Sequence, residues 1–288
     1  MRLGGYVFYD GTDPEQFALA HVAKGFGAAV CPHWVTLEKP AELKAFKDAM
    51  KKHDVMIAEV GAWCNPLDPD KGVAEEKIQY MIERLKLAEE LKACTCVNIL
   101  GSKSPTVWDG PCMEGYSQSF FEESVAVSQR VIDAVKPSFT KLSFEMMPFY
   151  FLDGPEAYLT YLKAVDRKET GVHLDICNTM NHPERLCNNT EFIRHTFDLL
   201  KEHINTLHLK DIRLVPNKAT ACFEEVLIGT GNIDYATMLE EIAKLPEETP
   251  AMLEHLHSEE QYDLASAAII SYAKQAGLKQ QGMKWVLE

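Results

Sequence analysis

The chain has 288 residues and a mass of 32.5 kDa, with 46% hydrophobic and 25% charged residues. This is ordinary globular usage and excludes disorder, collagen and coiled coil. A net charge of −14 repels phosphate backbones and anionic membrane surfaces, so neither nucleic acid nor membrane is an expected partner. Short apolar runs alternate with helical periodicity along the whole sequence. In chain order, strand Leu3–Tyr9 precedes helix Pro14–Lys24, and Ala28–Val35 precedes Pro40–Lys52. Val55–Trp63 precedes a stripe of Ile78, Met81, Ile82, Leu85, Ala88 and Leu91 at i, i+3, i+4, i+7 spacing. Then follow Cys96–Ser102 with Phe120–Val135, Lys141–Met147 with Pro155–Asp166, and Val172–Cys177 with Glu191–His203. Thr206–Ile212 with Tyr235–Leu245 and Ala251–Leu256 with Glu259–Gln275 complete the series. Thr12 or Asp13 before Pro14 and Asp234 before Tyr235 predict helix caps, and Gly277 predicts the end of the last helix.

Eight β-then-α units without a Pro/Gly/Ser linker predict one domain over residues 1–288, closed as an α/β (β/α)8 TIM barrel. The first strand–helix loop lacks G-x-G-x-x-G, which argues against a doubly wound dinucleotide fold. The longest apolar stretch, around Leu264–Ala273, is too short to cross a bilayer. No apolar signal core follows Met1, and none of the eight cysteines forms a C-x-x-C pair. The expectation is a cytoplasmic protein with reduced thiols.

Chemistry in such a barrel sits at the C-terminal ends of the strands. Four successive strands carry a polar residue there, where an apolar one would be cheaper: Glu145, Asp175, His208 and Glu254. An unpaired carboxylate in an apolar strand costs several kcal/mol of desolvation. Three carboxylates and an imidazole converging on one rim call for a cation, and a divalent metal is the simple solution. The oxygen-rich set suits Mn²⁺, with Mg²⁺ or Co²⁺ as alternatives, better than Zn²⁺.

These segments, Leu-Ser-Phe-Glu145, His-Leu-Asp175, Leu-His208-Leu-Lys-Asp and Met-Leu-Glu254-His, resemble the sugar isomerase/epimerase superfamily with a xylose-isomerase-like barrel. Gly229-Thr-Gly231-Asn-Ile-Asp234 resembles its G-x-G-x-x-D segment before the seventh helix. The likeness runs from the first strand to the last helix. It implies a metal that holds a sugar's carbonyl and adjacent hydroxyl and stabilises an enediolate. By resemblance to ketose 3-epimerases, Glu145 and Glu254 are both ligands and the proton-transfer pair. Many members carry Asp-x-x-His on the sixth strand, but here the fourth residue is Asn178. That departure, with the acidic charge, argues against the endonuclease branch with its zinc cluster. The Val-Gly-Ala-Trp-Cys-Asn-Pro-Leu segment also resembles the larger subunit of bacterial C-glycoside deglycosidases. The alternative it implies is a lyase on 3-keto-glycosides, working with a small partner subunit. A homo-oligomer and a non-catalytic sugar-binding barrel are the remaining alternatives.

Secondary candidates follow from position. Lys210, two residues past His208, shares its face and either polarises a carbonyl or pairs with Glu59. His33, at the end of the second strand, is a candidate acid/base or a satisfied polar residue. Trp63 and Trp108 are candidates to stack on a sugar's apolar face, and Asn178, His182 and Arg213 to bind its hydroxyls. The long loop Gly101–Ser119 predicts a lid or a partner contact. His255-Leu-His257 is set aside as an amidohydrolase motif because it lies on the eighth strand, not the first. Gly229 and Gly231 offer only a weak phosphate signal. The acidic segment Ser258–Asp263 points to a neutral sugar or glycoside instead.

Overall fold

The computed structural model describes residues 1–288. Its parallel strands are β1 (Arg2–Gly4), β2 (Ala28–Val30), β3 (Met56–Gly61), β4 (Thr95–Asn98), β5 (Lys141–Glu145), β6 (Thr170–Asp175) and β7 (Ile204–Leu209). After a hairpin of β8 (Asp211–Leu214) and β9 (Phe223–Val226) comes β10 (Pro250–Leu253), the eighth barrel strand. The order β1-β10-β7-β6-β5-β4-β3-β2 closes on itself, so the predicted eight-stranded barrel is present. Closure leaves no open sheet edge.

The helices are α1 (Pro14–Ala23), α2 (Pro40–Lys52), α3 (Lys71–Leu91), α4 (Gln118–Val135) and α5 (Pro155–Val165). The short α6 (Ile176–Thr179) and α7 (Pro183–Cys187) precede α8 (Asn189–Leu200), α9 (Tyr235–Ile242) and α10 (Glu259–Gln275). Their ends follow local chemistry. The Asp13 carboxylate accepts from the Glu15 and Gln16 amides ahead of α1, and Asp234 accepts from the Thr237 amide in α9. After α10 the chain turns at Gly277, where φ is +79°, a conformation that favours glycine. The predicted α3 stripe is buried throughout. It belongs to the main core, which lies between barrel and helices and includes Phe144, Leu174, Leu207, Tyr158 and Phe197.

The predicted strands run several residues too long at their C-terminal ends. There the chain leaves the hydrogen-bonded ladder while its sequence is still apolar, as at Leu100, which is buried. Two hairpins were not expected: β8 with β9, and β11 (Leu278–Gln281) with β12 (Lys284–Leu287). Pairing shifts register between Ala29 and Val30 opposite β3, and between Val172 and His173 opposite β7. Both irregularities fall beside residues that turn into the barrel, Glu59 and His173, as bulges near functional sites often do.

Candidate active site

Alternation along each strand delivers the site. Glu145 ends β5, Asp175 ends β6, and His208 is the penultimate residue of β7. Glu254 directly follows β10. Potential ligand atoms of these four lie within 4.8 Å of one another. Glu145, Asp175 and His208 are buried, while Glu254 is half-buried. The structure therefore brings the predicted quartet together.

Lys210 occupies the middle of it. Its Nζ lies 3.0 Å from Glu145 Oε1, 2.8 Å from Asp175 Oδ2 and 2.6 Å from Glu254 Oε2. The alternative pairing of Lys210 with Glu59 is replaced by these three contacts. The Lys210 carbonyl accepts from Tyr235 Oη at 2.6 Å. The next residue, Asp211, accepts from the amides of Ile212, Gly229, Gly231 and Ile233. The backbone carrying the lysine is thus fixed on both sides. A Cβ on Gly231 would meet Asp211 Oδ1 at 2.2 Å, so this close approach requires glycine. The Gly229–Gly231 amides serve an internal carboxylate.

Glu59 is instead the partner of His208. The two rings of His208 and His173 meet edge to face, 4.0 Å between centroids. His208 Nδ1 faces Glu254 Oε2 at 2.9 Å and Glu145 Oε1 at 3.4 Å, and its Nε2 faces Glu59 Oε2 at 3.3 Å. His173 Nδ1 meets Thr206 Oγ1 at 2.5 Å. Sequence reasoning missed the roles of Glu59 and His173. The available signals were a glutamate inside Ile57-Ala58-Glu59-Val60 and a histidine two residues before Asp175.

Charge is unevenly shared. Burial opposes ionisation of Glu145, but Lys210 and His208 outweigh it and hold the carboxyl well below its usual range. Asp175 is pushed up to about 7, chiefly by burial, against the pull of Lys210. Burial also works against a charged His208, yet Glu254, Glu59 and Glu145 raise its pKa well above the usual value. Burial, then the His208 charge, lowers His173 to about 4. Asp175 Oδ2 and Glu254 Oε2 are buried and are compensated by ion pairs with the Lys210 ammonium rather than by aligned hydrogen bonds. Three hard carboxylates and one imidazole converging on a buried positive charge are a donor set that fits a divalent cation.

Above the quartet lies a cavity of 450 Å³ whose walls include Trp63, Trp108, Asn178, Glu145, Lys210 and Glu254. Trp63 and Trp108 are 40% and 42% exposed. Gly61 makes room for Trp63, because a Cβ there would meet the indole Nε1 at 2.5 Å. Asn178 donates to Glu145 Oε1 at 2.9 Å. The remaining candidates lie elsewhere. His33 is exposed and lines a separate cavity of 380 Å³ beside Trp34 and Tyr9. His182 is exposed and caps α7, its Nδ1 accepting from the Glu184 amide. Arg213 sits on the β8–β9 hairpin and is tied to Glu224 at 2.5 Å. Loop position alone did not reveal these local partners. The same hairpin supplies an unforeseen wall residue, Glu225, which accepts from or pairs with His255 Nδ1 at 2.7 Å.

Solved structures share this architecture. D-psicose 3-epimerase with D-tagatose from Clostridium cellulolyticum H10 is 16% identical, with a TM-score of 0.68 over 96% of this chain and 99% of that one. 3-Keto-D-glucoside 4-epimerase from E. coli is 13% identical, with a TM-score of 0.67 over 95% and 99%. A xylose isomerase-like TIM barrel protein from Mycobacterium smegmatis in complex with magnesium is 14% identical, with a TM-score of 0.66 over 96% of each chain. At such identities the likeness is one of fold. No curated protein sequence matches the chain. The family described as xylose isomerase-like TIM barrel matches residues 22–285. The chain belongs to the xylose isomerase-like TIM barrel family.

Proposed function

We propose that this chain is a divalent-metal-dependent isomerase or epimerase of a neutral sugar or keto-sugar. One observation carries the reading: Glu145, Asp175, His208 and Glu254 converge from four strand ends beneath a cavity walled by two tryptophans. These four residues would hold the ion, with Mn²⁺, Mg²⁺ or Co²⁺ favoured by the oxygen-rich donors. When bound, the ion supplies Lewis-acid stabilisation of negative charge developing beside a carbonyl. Glu145 and Glu254 both face the cavity, from strands separated by β6 and β7 in the barrel order. Lys210 and His208 hold them largely ionised in this structure, and an ion in the lysine's place would do the same, so they are the groups able to take a proton from carbon and return it. Asn178 orients Glu145 through its amide. Trp63 and Trp108 offer flat apolar surfaces to a sugar ring and limit water.

The charge around the cavity favours an uncharged substrate. Asp109, Glu225 and Glu254 line it, and the Gly229–Gly231 amides already serve Asp211. A phosphate would meet carboxylates and find the backbone donors occupied. The likeness in fold to enzymes named for free and keto-sugars supports the same class. The test is chromatography of products from neutral ketoses and a 3-keto-glucoside incubated with protein and Mn²⁺. Formation of an epimer or isomer, abolished by chelator and by Glu254→Gln, is expected. Release of an aglycone from a 3-keto-glycoside without any epimer would replace this reading with the lyase one. Mn²⁺-loaded protein that converts no sugar would point to a binding barrel.

A further inference from the structure

Four like-facing acidic and imidazole groups are not left bare in this fold, because a cation from the chain itself stands among them. The Lys210 ammonium touches three of the four quartet members, at 2.6 to 3.0 Å. The residue is 4% exposed. A divalent ion bonded to oxygen sits at about 2.0–2.6 Å from its ligands. Bonded to the same three carboxylates, it would face the ammonium almost in contact, and repulsion between two buried cations at that range is severe. Both cannot keep their places.

The lysine has a way out. Its backbone is pinned by Tyr235 and by the four amides on Asp211, so only the side chain is free to turn. That side chain already borders two cavities, of 460 and 450 Å³, and Glu225 lines both. The Glu225 carboxylate has one side-chain partner, His255 at 2.7 Å, and is open to a second. We propose that Lys210 is an internal counter-cation: it holds the quartet together in the metal-free protein, competes with the divalent ion, and swings toward Glu225 when the ion enters. This rests on the quartet being a divalent-ion site. Its consequence is order: the ammonium is released from the carboxylates, free to meet a sugar hydroxyl, only after the ion has arrived.

Calorimetric titration with Mn²⁺ tests it on the full chain, comparing wild type, Lys210→Met and Lys210→Gln, with Glu254→Gln as the control on the site. Both lysine variants are expected to bind about tenfold tighter than wild type, the gain of a ligand freed from a competitor. In chelator they are expected to melt below wild type, because three carboxylates lose their cation. Equal or weaker Mn²⁺ binding by the lysine variants, with wild-type binding lost in Glu254→Gln, overturns the lysine's role and leaves the site standing. Absence of binding in wild type and in both lysine variants overturns the site and the inference together. A second readout needs no variant: acetylation of Lys210 by acetic anhydride, followed by mass spectrometry with and without saturating Mn²⁺. Labelling is expected to rise with the ion, and unchanged labelling overturns the displacement.

Discussion

His208 shows how a single ring is set for its task. Its Nδ1 is turned to Glu254 and Glu145 and its Nε2 to Glu59. In this structure the ring is charged and both nitrogens face carboxylates. Were a divalent ion bound, Nδ1 would give up its proton to face it while Nε2–H kept donating to Glu59, the arrangement by which a carboxylate orients and strengthens a histidine ligand. Glu59→Gln keeps the shape and removes the charge. It should weaken Mn²⁺ affinity by about 10–100-fold, read by titration calorimetry, with an unchanged circular dichroism spectrum. An unchanged affinity would show that Glu59 does not act through His208. The quartet was legible in the sequence because each member is polar at an inward position late in an apolar strand. Glu59 was legible as a candidate partner of Lys210 but not of His208, a contact that spans 149 positions. His182 and Arg213, exposed polar residues, have local partners that position alone does not show, the Glu184 amide and Glu224.

At the scale of elements, helices were read well where a cap marks them. Asp13, Asp234 and Gly277 act where the sequence placed them. Strand ends were read poorly, because burial continues past the last ladder hydrogen bond. The β8–β9 hairpin was hidden because Phe223-Glu-Glu-Val226 has no clean alternation. The connection from β7 through that hairpin to α9 is organised by one carboxylate, Asp211, 1% exposed and accepting four amides. Asp211→Asn replaces acceptor oxygen with an amide nitrogen that cannot accept. Destabilisation by about 1–3 kcal/mol is expected from the unsatisfied buried donors, seen as a lower urea midpoint. A midpoint equal to wild type would mean that the loop finds its shape without the carboxylate.

For the whole molecule, the acid limb of stability has an identifiable contributor far from the quartet. His21 in α1 is 1% exposed and packs at a tilt against Phe17, 4.6 Å between centroids. Burial lowers its pKa to about 4, against the smaller effect of its bond to the Phe17 carbonyl. The folded state therefore refuses a proton that the unfolded chain accepts near its ordinary value of 6.5. The contribution is complete above that value and is lost as pH falls toward 4, a total of roughly 3 kcal/mol. His21→Gln should flatten the dependence of unfolding free energy on pH between 6.5 and 4.5, whatever its effect at neutral pH. An equally steep profile in the variant would assign the slope to other groups. The closed barrel itself followed from the eightfold βα alternation, while the contents of its mouth depended on loops and hairpin contacts that periodicity does not encode.

In the proposed reaction, carboxylates on β5 and after β10 move a proton at carbon with the help of a divalent ion. Proton NMR in D2O follows that proton, with Mn²⁺-supplemented protein and a pool of neutral ketoses and a 3-keto-glucoside. Loss of one C–H signal by deuterium wash-in is predicted for wild type, with Glu145→Gln and Glu254→Gln silent. Wash-in that survives both substitutions, or its absence from every sugar in protein shown to hold Mn²⁺, would contradict the account.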